Sequence, residues 1–285
     1  MAPKQLVWLI TGTSSGIGKE LTLAALRRGD RVIATARNIS KIDPALKSQG
    51  ADILQLDVTD SLENLKKIAS EAAAIHGRVD VLVNNAGYIA VGALEEVTPE
   101  ETFQQFNTNV FGALNVSRAF LPAMRERKSG TIFFIGSVAG WGGGPGVGLY
   151  IGTKHAIRGL AESLSLEVAP LGIKVYNLEP GYFRTDLLAP GNRSSYDPRI
   201  ADYSPVTQAT QDSLVSHNGK QTGDPVKLVE IMTDIARGEG AVGEKGEVPV
   251  TLPFGSDSWK VIKGELATRG KMLDDWKSVI ESTDF

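Results

Sequence analysis

Leu6-Val7-Trp8-Leu9-Ile10-Thr11-Gly12-Thr13-Ser14-Ser15-Gly16-Ile17-Gly18 passes from an apolar run, through a turn of glycines and hydroxyls, into a helical pattern. Five successive apolar residues suit a strand buried on both faces, as in a parallel sheet. Glycines in the turn allow the backbone to approach a phosphate closely. The helix behind them offers free N–H groups and the positive end of its dipole. A plain turn is the alternative. The position between the first strand and first helix of a βαβ unit favours a phosphate cradle made of Gly12, Thr13, Ser14, Ser15, Gly16, Ile17 and Gly18.

The same alternation continues downstream. Apolar runs at Arg31–Ala36, Asp52–Leu56, Val79–Val83, Thr131–Ile135 and Ile173–Leu178 read as strands. Helical patterns at Ile17–Arg28, Leu62–His76, Glu100–Arg127 and Tyr150–Ala169 separate them. Strand and helix in strict alternation predict an α/β fold, a doubly wound parallel sheet with its ligand edge at the strands' C-terminal ends. Residues 182–224 are rich in Pro, Ser, Asn, Asp and Thr with weak periodicity, and read as a lid over a substrate. Val226–Ala236 resumes helical spacing and Glu247–Leu252 reads as a last strand. Met272, Leu273, Trp276, Val279 and Ile280 share one helical face. The expectation is a C-terminal helix over about 256–285 docked on the protein's own core, with an oligomer contact as the alternative. The whole chain, 1–285, is expected to be one domain.

Composition narrows the chemistry. The 285 residues are 42% apolar and 22% charged, with a net charge of −3. Such a balance gives no reason to expect nucleic acid or an anionic membrane as partner. No cysteine is present, which excludes disulfides, thiolate catalysis and cysteine-ligated metals. The three histidines, His76, His155 and His217, are far apart and form no metal-ligand spacing. The first apolar run is too short for a signal-peptide core or a membrane span. The cytoplasm is therefore the expected compartment.

Tyr150 and Lys154 stand four residues apart, on one helical face. A cation beside a phenol favours the phenolate and brings its pKa down towards neutrality. Such pairs also arise by chance, and this one gains meaning from what precedes it. Gly12, Gly16 and Gly18 are spaced G-x-x-x-G-x-G; then follow Asn84-Asn85-Ala86-Gly87, Asn109, Ser137, Tyr150 with Lys154, and Pro180-Gly181. In this order and at these distances, residues 5–190 resemble the short-chain dehydrogenase/reductase family, in its single-domain Rossmann-like branch. The Glu179–Thr185 run and the chain length look closer to its steroid- and retinol-dehydrogenase-like and microbial carbonyl-reductase members.

The resemblance implies an oxidoreductase that moves a hydride between a nicotinamide cofactor and a carbonyl. Tyr150 is then the acid/base, Lys154 tunes it and hydrogen-bonds the nicotinamide ribose, and Ser137 holds the carbonyl oxygen. Asn109 shapes a local kink and holds a water of the proton relay. Asn85, Ala86 and Gly87 end the fourth strand beside the cofactor. Asp57 and Val58 meet the adenine, and Pro180, Gly181 and Thr185 cover the nicotinamide. At the end of the second strand Ala36 stands where a carboxylate would select NAD, and Arg37 follows. A guanidinium there clasps a 2′-phosphate, so NADP(H) is the expected cofactor. The alternative is a solvated Arg37 and little selectivity. Trp141, Tyr182 and Phe183 are candidate walls of a substrate pocket, although Trp141 packed on the protein is an even alternative. The substrate is expected to be a small-molecule carbonyl or alcohol, and the assembly a homodimer or homotetramer. A catalytically silent NADP(H) sensor and a dehydratase or epimerase of related fold are the competing readings.

Overall fold

A computed structural model describes residues 5–189, 191–194 and 198–285. Residues 1–4 of the expected domain, and 190 and 195–197 of the expected lid, lie outside the described residues. The chain runs β1 (Val7–Thr11), α1 (Gly16–Arg27), β2 (Arg31–Ala36), α2 (Pro44–Ser48), β3 (Asp52–Gln55), α3 (Leu62–His76), β4 (Val81–Asn84) and α4 (Pro99–Phe106). It continues with α5 (Ala113–Arg127), β5 (Gly130–Ile135), α6 (Gly148–Val168), β6 (Ile173–Pro180), α7 (Ser204–His217), α8 (Pro225–Arg237), α9 (Gly240–Glu244), β7 (Thr251–Phe254) and α10 (Ser256–Glu281).

The strands form one sheet in the order β3-β2-β1-β4-β5-β6-β7, and every neighbouring pair is parallel. Apolar side chains leave both faces of the central strands, so each face needs a helical layer. One layer packs residues of α3, α5 and α6 against Leu9, Leu82, Ile132 and Phe134. The other packs α1 and α8 against Trp8, Ile10, Val83 and Phe133. Chain order reverses between β1 and β4. At such a switch point the connecting loops diverge and leave a crevice at the strands' C-terminal ends.

Two expectations change, and one takes definite form. The kink expected at Asn109 within Glu100–Arg127 is a wider π turn at Asn107–Gly112, between α4 and α5. A side chain at Gly112 would come within 2.8 Å of the Val58 carbonyl, so the turn brings backbone against backbone there. The last strand lies at Thr251–Phe254 rather than Glu247–Leu252, because it pairs with the outer end of β6, Leu178 facing Leu252. Within 182–224, α7 is a full helix. It buries only Thr207 and Leu214, so it has no apolar stripe for periodicity to detect.

The docked C-terminal helix is a further correction. Met272, Leu273, Trp276, Val279 and Ile280 are 47%, 54%, 58%, 54% and 46% exposed. Only Ser258 and Ile262 of α10 are buried, because the helix runs past the edge of the body. Among the described residues no helix is long and apolar enough to cross a membrane.

Asp30 fastens α8 to the opening of β1. Its carboxylate accepts hydrogen bonds from Leu6 N (3.0 Å), Trp8 Nε1 (2.9 Å) and Arg237 Nη1 (2.7 Å). Both ion-pair side chains are nearly solvent-free, at 6% and 0%. Removing one partner strands the other charge. Arg237→Ala is expected to cost about 3 kcal/mol, read as a lower urea midpoint.

Candidate active site

The loop after β1 is built for close approach. Gly12 and Gly16 have φ of +69° and +58°, a region that favours glycine. A Cβ on Gly18 would stand 2.5 Å from the Gly12 carbonyl and 2.6 Å from Asn85 Nδ2. Asn85 pins this crossing by donating to Thr11 O (2.8 Å) and Gly12 O (3.0 Å). The Thr11 hydroxyl accepts from Asn85 N and Ala86 N, each at 3.0 Å. Thr13 turns back to β2, its N–H and hydroxyl both donating to Thr35 O. Ser15 is the N-cap of α1, yet its side chain caps nothing, so the first amides of α1 lack a side-chain acceptor from it. From the far side of the crevice Thr185 reaches the loop. Its Cβ lies 3.3 Å from where a Cβ on Gly16 would be.

The other sequence candidates surround this cradle. Arg37 follows β2, is exposed, and has no ion-pair partner among the described residues. Asp57 accepts from Thr59 N and Oγ1 (2.9 and 2.7 Å), while Val58 is buried beside Gly112. Pro180 ends β6, and Gly181 N donates to Phe254 O of β7 (2.9 Å).

Ser137, Tyr150, Lys154 and Asn109 come together beyond the ends of β4 and β5. Ser137 caps the turn after β5, accepts from Ala139 N (3.1 Å) and stands near enough to the Tyr150 phenol to favour its ionised form. Lys154 Nζ lies 5.4 Å from the centre of the Tyr150 ring and donates to Ile135 O (2.6 Å). Asn109, in the π turn, accepts from Tyr88 N (3.1 Å) and donates to Tyr88 O (3.0 Å) and Thr153 Oγ1 (3.3 Å). Thr153 in turn donates to Tyr150 O (2.6 Å). The kink thus aims one carboxamide at both the Gly87-Tyr88 stretch and the first turns of α6.

Charge at the site is set by desolvation. Burial pushes the Tyr150 phenol up to about 12, against the influence of Ser137. Burial also draws the Lys154 ammonium down to about 8, against the Glu179 carboxylate, which favours the charge. The expectation that Lys154 brings the phenol towards neutrality is not met in this state. Loss of water around the phenol is the dominant effect and outweighs the lowering by Ser137. Tyr150 therefore holds its proton at pH 7, the form a proton donor needs.

The aromatic candidates divide. Tyr182 is 46% exposed and stacks on His217 of α7 at 5.6 Å. Phe183 does not line a pocket. Its ring packs into the core layer of α1 and α8 and against Gly223, where a Cβ would stand 2.7 Å away. Trp141 is committed to the protein. Its indole donates to Glu179 Oε2 (2.5 Å), and the Arg158 guanidinium sits 4.2 Å from the ring centre. Sequence reasoning assigned no role to Glu179, Arg158, Tyr88 or Thr153. The only sign of Glu179 was an acidic residue inside an apolar strand. Around Tyr150 an apolar cluster of Ile89, Val91, Val147, Leu188 and Leu214 joins α7 and the post-β4 loop.

A family model described as short chain dehydrogenase matches residues 6–195. The chain belongs to the short-chain dehydrogenase family. Oxidoreductase BOA17 of Botryotinia fuckeliana is 36% identical over 256 residues, covering 88% of this chain and 89% of that protein. A short-chain dehydrogenase from Streptomyces avermitilis superposes with a TM-score of 0.87 at 37% identity, over 100% of both chains. The structure of ElxO with NADP bound aligns with a TM-score of 0.71 at 26% identity, over 90% of this chain and 100% of that one. This short-chain dehydrogenase is thus an oxidoreductase of Rossmann-like fold.

Burial raises the pKa of Glu179, although Trp141, Arg158 and Asn177 Nδ2 (2.9 Å) each favour its carboxylate. Neutralising it removes the charge that supports the Lys154 ammonium. Glu179→Gln is expected to move the lysine's titration midpoint further below about 8, followed by NMR of the lysine ε-carbons. An unchanged midpoint contradicts the coupling.

Proposed function

We propose that this short-chain dehydrogenase interconverts a ketone or aldehyde and its alcohol, with NADP(H) as the hydride carrier. The observation that carries the reading is the meeting of Ser137, Tyr150 and Lys154, backed by Asn109, beside a glycine cradle at the sheet's switch point. The loop suits a dinucleotide: at Gly12 and Gly18 a side chain would strike the Asn85 crossing, at Gly16 it would crowd Thr185, and Ser15 leaves α1 without a side-chain cap. Gly12 to Gly18, Asp57, Val58, Asn85, Ala86, Gly87, Pro180, Gly181 and Thr185 would hold the cofactor, and Arg37 would meet a 2′-phosphate. Bound there, NADP(H) supplies a hydride for the carbonyl carbon or takes one from the alcohol carbon.

The chain's own residues handle the oxygen and the proton. Ser137 donates a hydrogen bond to the carbonyl oxygen and orients it. Tyr150, protonated across the neutral range, gives that oxygen its proton as negative charge develops there. Lys154 stabilises the phenolate left behind. Its own depressed pKa lets it surrender a proton near pH 8. Asn109, bonded to Tyr88 O and Thr153, fixes the polar path behind the pair. Residues 182–224 act as a lid, with Tyr182 and the apolar cluster of Leu188 and Leu214 facing an apolar substrate body.

Absorbance-monitored NADPH oxidation against ketones, aldehydes, quinones and steroids tests the reading. Tyr150→Phe is expected to lower turnover by about 10²–10⁴-fold with NADPH affinity nearly unchanged. Wild-type turnover in that variant refutes the mechanism, and tight NADPH binding without turnover across the panel favours a sensor. For Arg37→Ala, the NADPH dissociation constant is expected to rise about tenfold or more, with NADH unaffected. A tenfold change corresponds to about 1.4 kcal/mol.

A further inference from the structure

Helix α10 leaves the body partway along its length. Ser258 and Ile262 are buried, and Arg269 Nη2 donates to Trp141 O (2.9 Å). From residue 266 onward every side chain is exposed. The overhang to Glu281 is about 24 Å long at 1.5 Å per residue. At 100° per residue, the face that meets the body through Ser258, Ile262 and Arg269 continues in phase through Leu273, Trp276 and Ile280. Met272 and Val279 widen it on one side. Leu266, Arg269, Leu273, Trp276 and Ile280 alternate steps of three and four, the spacing of a seam between two helices. A free helix of this length is marginal in water, and a stripe with an exposed tryptophan, leucine and isoleucine is rarely left bare.

We propose that a second copy of this chain covers the stripe, the two α10 overhangs packing antiparallel about a two-fold axis between Leu273 and Trp276. Charge selects this occupant and this direction. The half of the overhang from Leu266 to Leu273 carries Arg269 and Lys271, and the half from Asp274 to Glu281 carries Asp274, Asp275 and Glu281 against Lys277, a balance of +2 and −2. Antiparallel packing sets each acidic half beside the other copy's basic half, and the two-fold repeats the match. Parallel packing sets like beside like. Over Ser256–Glu281 the five acidic and five basic side chains cancel. A helix that lies on an anionic lipid surface needs a basic face instead. Leu273 then packs on the partner's tryptophan, and Arg269 lies level with the partner's isoleucine at the seam's end.

Two measurements on the full-length protein test this. The first is mass in solution by light scattering. Trp276→Glu with Ile280→Glu is expected to halve the wild-type mass, with circular dichroism and the unfolding midpoint showing a folded chain. Trp276→Ala, a milder change, is expected to weaken assembly at low concentration. The second uses the absence of cysteine. Lys277→Cys lies near the axis, and Lys263→Cys occupies the same seam flank two heptads earlier. A short bis-maleimide is expected to capture dimers of Lys277→Cys only. In antiparallel packing the two thiols introduced by Lys263→Cys are about 35 Å apart along the axis. A monomeric wild type, a mass unchanged by the double variant, or equal capture at both positions overturns the proposal. So does co-sedimentation with neutral phosphatidylcholine vesicles that the double variant abolishes while its mass stays the same.

Discussion

The carboxamide of Asn85 bridges two successive carbonyls, Thr11 O and Gly12 O, and so ties the end of β4 to the loop leaving β1. A loop with glycines at 12, 16 and 18 has little stiffness of its own, since glycine gains most freedom when unfolded. The side-chain amide supplies the missing constraint. It is also the group that a side chain at Gly18 would strike. Cradle and pin are therefore one arrangement. The glycines make room for the asparagine, and the asparagine orders the glycines. The cluster of Ser137, Tyr150, Lys154 and Asn109 hangs from the same strand end, because Gly87 and Tyr88 follow directly and Asn109 grips Tyr88.

Desolvation is the second organising force. It acts oppositely on the phenol and the ammonium of the Tyr150–Lys154 pair, raising one and lowering the other. Both shifts favour neutral groups. The protein limits the cost to the lysine with a carbonyl at 2.6 Å and a buried carboxylate one strand away. Glu179 in turn is satisfied by Trp141, Asn177 and Arg158, so the glycine-rich stretch after Ser137 is anchored to the charge that supports the catalytic lysine. A phenol with a high pKa keeps its proton until charge develops on a bound oxygen, and the hydroxyl of Ser137 stands beside it.

Much of this was legible in one dimension. β2 and α3 fall where periodicity put them, and most other strands within two residues, because a parallel strand buried on both faces is a short apolar run with polar ends. The glycine turn and the Tyr150–Lys154 spacing were visible in the residues themselves, whereas Ser137 and Asn109 were singled out only through the family resemblance; the structure brings all four side chains together. Glu179 was not, since its role comes from being brought under Lys154 by an adjacent strand. Phe183 was misplaced because adjacency to Pro180-Gly181 says nothing about which way a ring turns. Gly223, forty residues later, provides the space it fills. Helix α7 escaped notice because it packs through one threonine and one leucine rather than a stripe.

The stripe on α10 shows where the division falls. Its spacing declared an apolar helical face, but periodicity reports that a face is apolar and not what lies against it. The sequence by itself determined the alternation of strands and helices, the glycine turn after the first strand, and the titratable groups that the site brings together. These follow from local sterics, burial of single residues and intrinsic acidity. Only the tertiary structure decided the protonation tendencies of Tyr150 and Lys154, the partners of Trp141 and Phe183, and the bareness of α10. Those depend on dielectric surroundings and on contacts between residues far apart along the chain, neither of which has a one-dimensional signature.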